Sequence, residues 1–196
     1  MLTAYTRDLG KVQGLIKGVR GARAAVPWYL EPLTLQAMVL YERRRSPWAL
    51  ISSCDLLDAF DPVRRDFDRT AYAAYALELV ESMTGLNDPH PEIFHLLRRV
   101  LTGLGRSAHP AALLRYLELH LLQLSGFLPD PGRIPLSVES REALEGLLRS
   151  SPDAAADRTW TPAVEADLRQ KLQGLLRRTL EQELKSHRFL VGTGLG

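Results

Sequence analysis

Apolar and polar positions alternate along the first 54 residues; beyond them the apolar residues recur every three or four positions. Leu2, Ala4 and Thr6 alternate with Thr3, Tyr5 and Arg7, which predicts a strand. Asp8-Leu9-Gly10-Lys11 supplies a turn, because Gly10 accepts positive φ without steric cost. A second strand runs from Lys11 to Lys17 and contains Gly14, a residue type that marks a bulge or a close backbone approach. A basic loop follows, with Gly18 and Gly21 among Lys17, Arg20 and Arg23. Residues 28–41 form a long strand candidate, with Leu33, Leu35, Ala37, Val39 and Tyr41 on one face and Pro32 confining its start to an edge or bend. Residues 42–47 make a charged hairpin loop, and 48–54 the returning strand.

The period then changes. Asp61-Pro62 has the form of a helix cap and first turn, and Phe67, Ala71, Tyr75, Leu79 and Met83 follow at every fourth residue up to Gly85. Asp88-Pro89 opens a second helix, with Ile93, Leu96, Leu97, Val100, Leu101 and Leu104 as its stripe. The third helix, 110–125, is apolar nearly all round and belongs at the centre of a helical domain; Gly126 closes it as a left-handed cap. A proline-rich surface connection (128–137), a short helix (138–148), a second loop (150–158) and a last long helix from Thr161-Pro162 complete the chain. Four short strands with tight turns are the build of an OB-type barrel, although a complete OB barrel has five. The fold class is therefore α+β: an N-terminal, incomplete OB-fold β-barrel over residues 1–56, an α-helical domain over 57–190, and a flexible tail over 191–196.

Charge sharpens that division. The overall charge is +2, but residues 1–54 hold eight Lys or Arg against three Asp or Glu, a net of +5, while the other 142 residues hold seventeen against twenty, a net of −3. A small basic module joined to a mildly acidic body suggests a polyanion partner, since a basic surface attracts nucleic acid or anionic lipid; a solvated surface without a partner is the alternative. The single cysteine, Cys54, excludes an internal disulfide and a cysteine zinc cluster, and suits a reducing cytosol. No apolar run approaches the ~20 residues that span a bilayer, and the first residues lack the regions of a signal peptide.

Enzyme signatures are missing. There is no nucleophile elbow, no P-loop and no metalloprotease helix motif, so the chain is expected not to be an enzyme and to need no cofactor and no metal. The five histidines include no pair spaced i, i+4; His120, in the apolar helix, suits a hydrogen-bonded core residue better than a ligand. Arg115 and Glu118, three residues apart, are most simply a structural ion pair.

The candidate chemistry is binding. Tyr5, Trp28, Tyr29, Tyr41 and Trp48 lie in the basic module, and every Phe lies at residue 60 or later. Tyr and Trp rings can stack on bases while tolerating water at their polar edge; the alternative is that they fill a small barrel. The candidate DNA-binding residues are the cations Arg7, Lys11, Lys17, Arg20, Arg23, Arg43, Arg44 and Arg45, with Tyr5 and Trp28 as the stacking rings. Arg98, Arg99 and Arg115 are candidates for a partner peptide, since an acidic, apolar peptide needs cations around an apolar pocket; each is equally read as a solvated or core-paired arginine.

Several segments together resemble the bacterial recombination mediator family RecO. TRDLGKVQGLIKGVRGAR is similar to that family's N-terminal OB segment, LEPLT with VLYERRR and LISSCDLLDAF to its later strands, DRTAYAAYALELVESMT to its first long helix, and YLELHLLQLSGFLPD with LKSHRFL to its central helix and C-terminus. The resemblance implies binding of single- and double-stranded DNA, strand annealing, partnership with RecR, contact with the acidic tail of single-stranded DNA-binding protein, and loading of RecA during gap repair. It implies a cytoplasmic, nucleoid-associated protein. It also implies a further strand ahead of Leu2, so a truncated chain and a natural four-stranded variant are both open. Many members carry a cysteine zinc cluster after the central helix; LPDPGRIPLS stands there in this chain, so no zinc is expected. The rival reading is a protein-interaction adaptor with a basic β module and no DNA role.

Overall fold

The computed structural model describes residues 1–16, 31–42, 46, 48–180 and 184–195. Four strands make one open sheet: β1 (Leu2–Thr6), β2 (Gly10–Ile16), β3 (Leu35–Tyr41) and β4 (Ala49–Asp58). Their order is β1-β2-β4-β3, with β1/β2 and β3/β4 antiparallel and β2/β4 parallel. The β1–β2 hairpin closes where Thr6 pairs with Gly10. Thr6 Oγ1 accepts the Leu9 amide (3.1 Å) and donates to the Gly10 carbonyl (2.9 Å). Gly10 has φ +67°, and a Cβ there would lie 2.1 Å from the Asp88 carbonyl oxygen, so both the turn and the neighbouring loop require glycine. The close approach at Gly14 comes from a side chain: an added Cβ would meet the Ile51 Cδ1 at 2.6 Å.

The start of β3 departs from the alternation. β3 starts only at Leu35, because Leu33 has φ 62° and Thr34 Oγ1 donates to the Glu31 carbonyl (3.0 Å), folding 31–34 into a bend. The bend is held by Arg64, which donates to the Pro32 carbonyl (3.3 Å) and pairs with Glu31. The alternation along β3 separates an outer face from an inner one. Ala37, Val39 and Tyr41 face solvent, while Gln36, Met38 and Leu40 are half-buried towards the helices. The register shifts at Leu35/Gln36 and Val39/Leu40 accompany this arrangement.

After a short first turn, α1 (Asp61–Arg64), the body contains α2 (Phe67–Met83), α3 (Pro91–Leu104), α4 (Pro110–Leu124), α5 (Val138–Leu148), α6 (Pro152–Ala156), α7 (Pro162–Thr179) and α8 (Lys185–Thr193). α4 buries residues on every side, from Ala112 to Leu122, as an apolar helix must. The starts of α2, α5, α6 and α7 follow from side-chain caps: Asp66, Ser137, Ser151 and Thr161 accept the amides of Arg69, Ser140, Ala154 and Val164. α6 occupies a segment expected to be loop; Ser151 caps it and Pro152 sits in its first turn. The chain end also differs from expectation. α7 stops at Thr179, and where a frayed tail was expected, α8 continues through Thr193 and the Tyr72 hydroxyl donates to the Leu195 carbonyl (3.1 Å). α8 is fastened to α2 by Glu78, whose carboxylate accepts the amides of Lys185 (3.0 Å) and Ser186 (2.7 Å) and the Ser186 hydroxyl. Among the described residues no helix is long and apolar enough to cross a membrane.

Candidate nucleic-acid interface

Strand register decides where the basic segments leave the sheet. Leu15 of β2, Leu50 of β4 and Tyr41 of β3 share one rung; Ile16, Ile51 and Leu40 share the next. Lys17 follows Ile16 directly, and Arg43 stands two residues beyond Tyr41. Both basic connections are thus anchored within two rungs of one another, about 10 Å apart across β4 by ordinary strand spacing. Lys17, Arg20, Arg23, Trp28, Arg43, Arg44 and Arg45 themselves lie outside the described residues.

Two aromatic rings are open to solvent at this end of the sheet. Tyr41 is 57% exposed and Trp48 39% exposed, and they bracket the three arginines in sequence. The Ser46 hydroxyl accepts the Trp48 amide (3.2 Å), which sets the entry into β4. Tyr41 and Trp48 were not singled out from the sequence as stacking residues; their place beside three consecutive arginines was the available signal.

The described DNA-binding candidates are more committed than their charge suggests. Arg7 forms a two-point pair with Asp8, Nε to Oδ1 at 2.9 Å and Nη2 to Oδ2 at 3.0 Å, on an exposed turn. That hydrogen bond holds the Asp8 carboxyl below the usual range. Lys11 directs its Nζ to the Glu81 carbonyl (2.6 Å), and its own carbonyl accepts the Asn87 amide (2.9 Å). It therefore ties the sheet to the end of α2. Tyr5 is half-buried against the helical core, and its hydroxyl donates to the His90 carbonyl (3.4 Å). Burial, with Asp88 and Glu92 nearby, pushes its phenol up to about 12.

The three partner candidates separate. Arg98 is exposed on α3 and lines the cleft between sheet and helices. Its neighbour Arg99 turns towards Asp153 (3.6 Å), which also pairs with Arg106. Arg115 is 3% exposed and lies inside the core, 3.1 Å from Glu118 Oε1, so it cannot border a surface groove. Glu118 also accepts the Tyr75 hydroxyl at 2.6 Å. Burial pushes the Glu118 carboxyl up against the pull of Arg115, and pushes the Tyr75 phenol well above its ordinary value. His120 is a half-buried residue stacked on Tyr116, its Nδ1 2.9 Å from the Tyr116 carbonyl; burial lowers its pKa. Among the described residues no three of His, Cys, Asp or Glu come together as a metal site. Burial, then Asp55, pushes the half-buried Cys54 thiol up, which disfavours a reactive thiolate.

One further opening adjoins the hairpin. β1 and β3, the two edges of the sheet, border a cleft of about 940 Å³ whose far wall is formed by Phe60, Leu77, Val80, Phe94, Leu97 and Leu101.

Comparison with known proteins is consistent along most of the chain. The family model described as Recombination protein O N terminal matches residues 1–60, and that described as Recombination protein O C terminal matches residues 64–131. A DNA repair protein RecO of Syntrophus aciditrophicus (strain SB) is 31% identical over 129 residues, covering 66% of this chain and 50% of that protein. One of Anaeromyxobacter sp. (strain K) is 28% identical over 232 aligned positions, covering 100% of this chain and 91% of that protein. One of Anaeromyxobacter sp. (strain Fw109-5) is 33% identical over 154 residues, covering 78% of this chain and 59% of that protein.

Proposed function

Because the chain belongs to the RecO family of DNA repair proteins, we propose that it is a non-enzymatic mediator that holds single- and double-stranded DNA by its phosphates. The observation that carries this reading is the register: Ile16 and Tyr41, after which the two basic segments of the sequence begin, lie on adjacent rungs. β2 and β3 run in opposite senses, so the basic segments continue from either side of these rungs. A phosphate backbone held along them has basic sequence on both sides, and Tyr41 and Trp48 offer faces for unpaired bases. Such binding is independent of sequence, which suits annealing and the handover of protected single strands to RecA together with RecR. Arg98 and Arg99, exposed on α3, are the cations best placed to meet the acidic tail of single-stranded DNA-binding protein.

Salt dependence tests the reading. With six phosphate contacts, affinity for a single strand falls about three-hundredfold between 50 and 200 mM salt. Replacing Lys17, Arg20 and Arg23 together by Ala lowers affinity and reduces the log–log slope by roughly two to three units. DNA binding unchanged in the triple variant overturns the assignment. Absence of binding to either DNA form at ~50 mM salt favours a protein-interaction adaptor.

A further inference from the structure

We propose that the outer face of α8, with the first turn of α2, is a second hold for single-stranded nucleic acid. Unpaired bases stack there on the exposed rings of Phe67 and Phe189, and flanking cations take the neighbouring phosphates. The site rests on the reading that the chain handles single strands, but it uses none of the sheet residues that carry that reading.

The path of α8 brings the rings together. Glu78, towards the end of α2, accepts the amides of Lys185 and Ser186 at the start of α8. Phe67, the first residue of α2, meets Phe189 further along α8. α8 therefore runs back along α2. The two ring centroids lie 5.9 Å apart with their planes at 67°, an edge-to-face contact. Neither ring is covered by anything else to the same degree: Phe67 is 67% exposed and Phe189 46% exposed. α8 is already held by the Glu78 carboxylate and by the buried Leu190, so two open rings exceed what its docking needs.

The surroundings specify the occupant. Lys185 stands one turn before Phe189 on the same face of α8, and Arg188 adjoins it; both cations are exposed. α8 carries no carboxylate. On the α2 side, Arg65 is exposed two residues ahead of Phe67. Asp66 is occupied, capping the Arg69 amide and lying 3.5 Å from the Arg69 guanidinium, so Asp68 is the opposing charge in the first turn of α2. An aliphatic anchor from a peptide needs a recess that encloses it. A nucleobase needs only a flat apolar face, with its other side open to water or to the next base. Open rings among cations thus fit a flat ligand tied to an anion, which is a nucleotide strand with unpaired bases. A duplex keeps its base faces stacked on one another and gains nothing from the rings.

The probe is a short oligothymidylate carrying thiothymidine, irradiated with the purified full chain and mapped by mass spectrometry. Cross-links at Phe67 or Phe189 are expected. Phe67→Leu with Phe189→Leu keeps an apolar contact but removes the rings, and should weaken single-strand binding about tenfold with the salt slope and duplex binding unchanged. Phe67→Tyr with Phe189→Tyr should restore the affinity. Lys185→Ala should lower the single-strand salt slope by about 0.7 unit, and Asp68→Asn should tighten binding. Amide exchange at Lys185 and Ser186 reports whether α8 stays docked in each variant. Parent affinity in the double leucine variant overturns the proposal, as do cross-links confined to the sheet. So does weakened binding that accompanies faster exchange at those two amides, which would make the rings a brace for α8. Displacement of the oligonucleotide from the rings by an acidic, apolar peptide, or a dimer lost in the leucine variant, gives the face to another occupant and likewise overturns it. Repeating the titration with Lys17, Arg20 and Arg23 replaced by Ala separates the two readings. The leucine changes should act by the same factor there, whereas failure of the sheet site shows as no effect of the triple change itself.

Discussion

Lys11 on β2 donates its ammonium to the carbonyl of Glu81 near the end of α2, at 2.6 Å. A cation that the sequence assigns to the DNA-binding face is thereby used as a clamp between sheet and helices. Lys11→Ala should cost about 1–2 kcal/mol of stability, a fall of roughly 2–4 °C in melting temperature for each kcal/mol in a chain of this size. The salt slope of DNA binding should stay within one unit of the parent. Thermal melting and salt-dependent binding of the same variant check both halves of this expectation.

Tyr41 and Trp48 should act in the opposite sense. Each is open to solvent, so Tyr41→Ala or Trp48→Ala should leave the fold stable. Each should weaken single-strand binding by about 1–3 kcal/mol with the salt slope unchanged, because stacking is not ionic. A single-strand titration at two salt concentrations separates this loss from loss of a phosphate contact.

The Tyr75–Glu118–Arg115 cluster makes a stability prediction. Glu118→Gln retains an acceptor for Tyr75 but leaves the buried Arg115 charge with only the Glu165 carboxylate, 3.9 Å away. The expected cost is about 3–5 kcal/mol. The double change Arg115→Met with Glu118→Leu should cost less than Glu118→Gln, because it removes both charges and keeps the volume. Urea unfolding of the two proteins gives the ranking.

Glu78 gives a pH prediction. Burial pushes its carboxyl up, but the hydrogen bonds from Ser186 and Lys185 outweigh burial and hold it below the ordinary range. The unfolded chain therefore takes up that proton at a higher pH than the folded chain. Docking of α8 is at full strength above the ordinary carboxylate range and is lost as pH falls through the folded value. Glu78→Gln should remove this dependence and speed amide exchange at Lys185 and Ser186 at neutral pH, which exchange measurements along a pH series would show.

Gly10→Ala should be far more damaging than a turn substitution on an open hairpin. The new Cβ meets the Asp88 carbonyl at 2.1 Å in a left-handed conformation, so hairpin and loop must move apart. A loss of about 1–3 kcal/mol, measured by denaturant midpoint, is expected.

The sequence was most legible where one local rule suffices. The α7 start was visible in Thr161-Pro162, and α4 because it is apolar all round. The Arg115–Glu118 pair was visible from its spacing. Legibility failed where a neighbour decides. Alternation in β3 marks two faces without saying which one the helices cover; Val39 and Tyr41 lie on the solvent side. Lys11 and Tyr5 look like surface residues until α2 and the His90 loop are packed against them. α6 is short, and its Ser-Pro cap sits in a stretch whose small polar residues equally suit a loop. The expected site was legible as charge and as sequence order; that Ile16 and Tyr41, from which its two basic segments continue, lie on adjacent rungs follows only from the parallel pairing of β2 with β4.

The tie between Glu78 and Ser186 joins positions 108 residues apart. During synthesis at 5–20 residues per second, α2 therefore waits roughly 5–20 s for the segment that covers it. Over that interval Tyr72, Tyr75 and Leu79 leave the ribosome without their final cover, so the nascent chain carries a sticky face that a chaperone could hold. Slow codons late in the message would lengthen that exposure, and codons read quickly would shorten it.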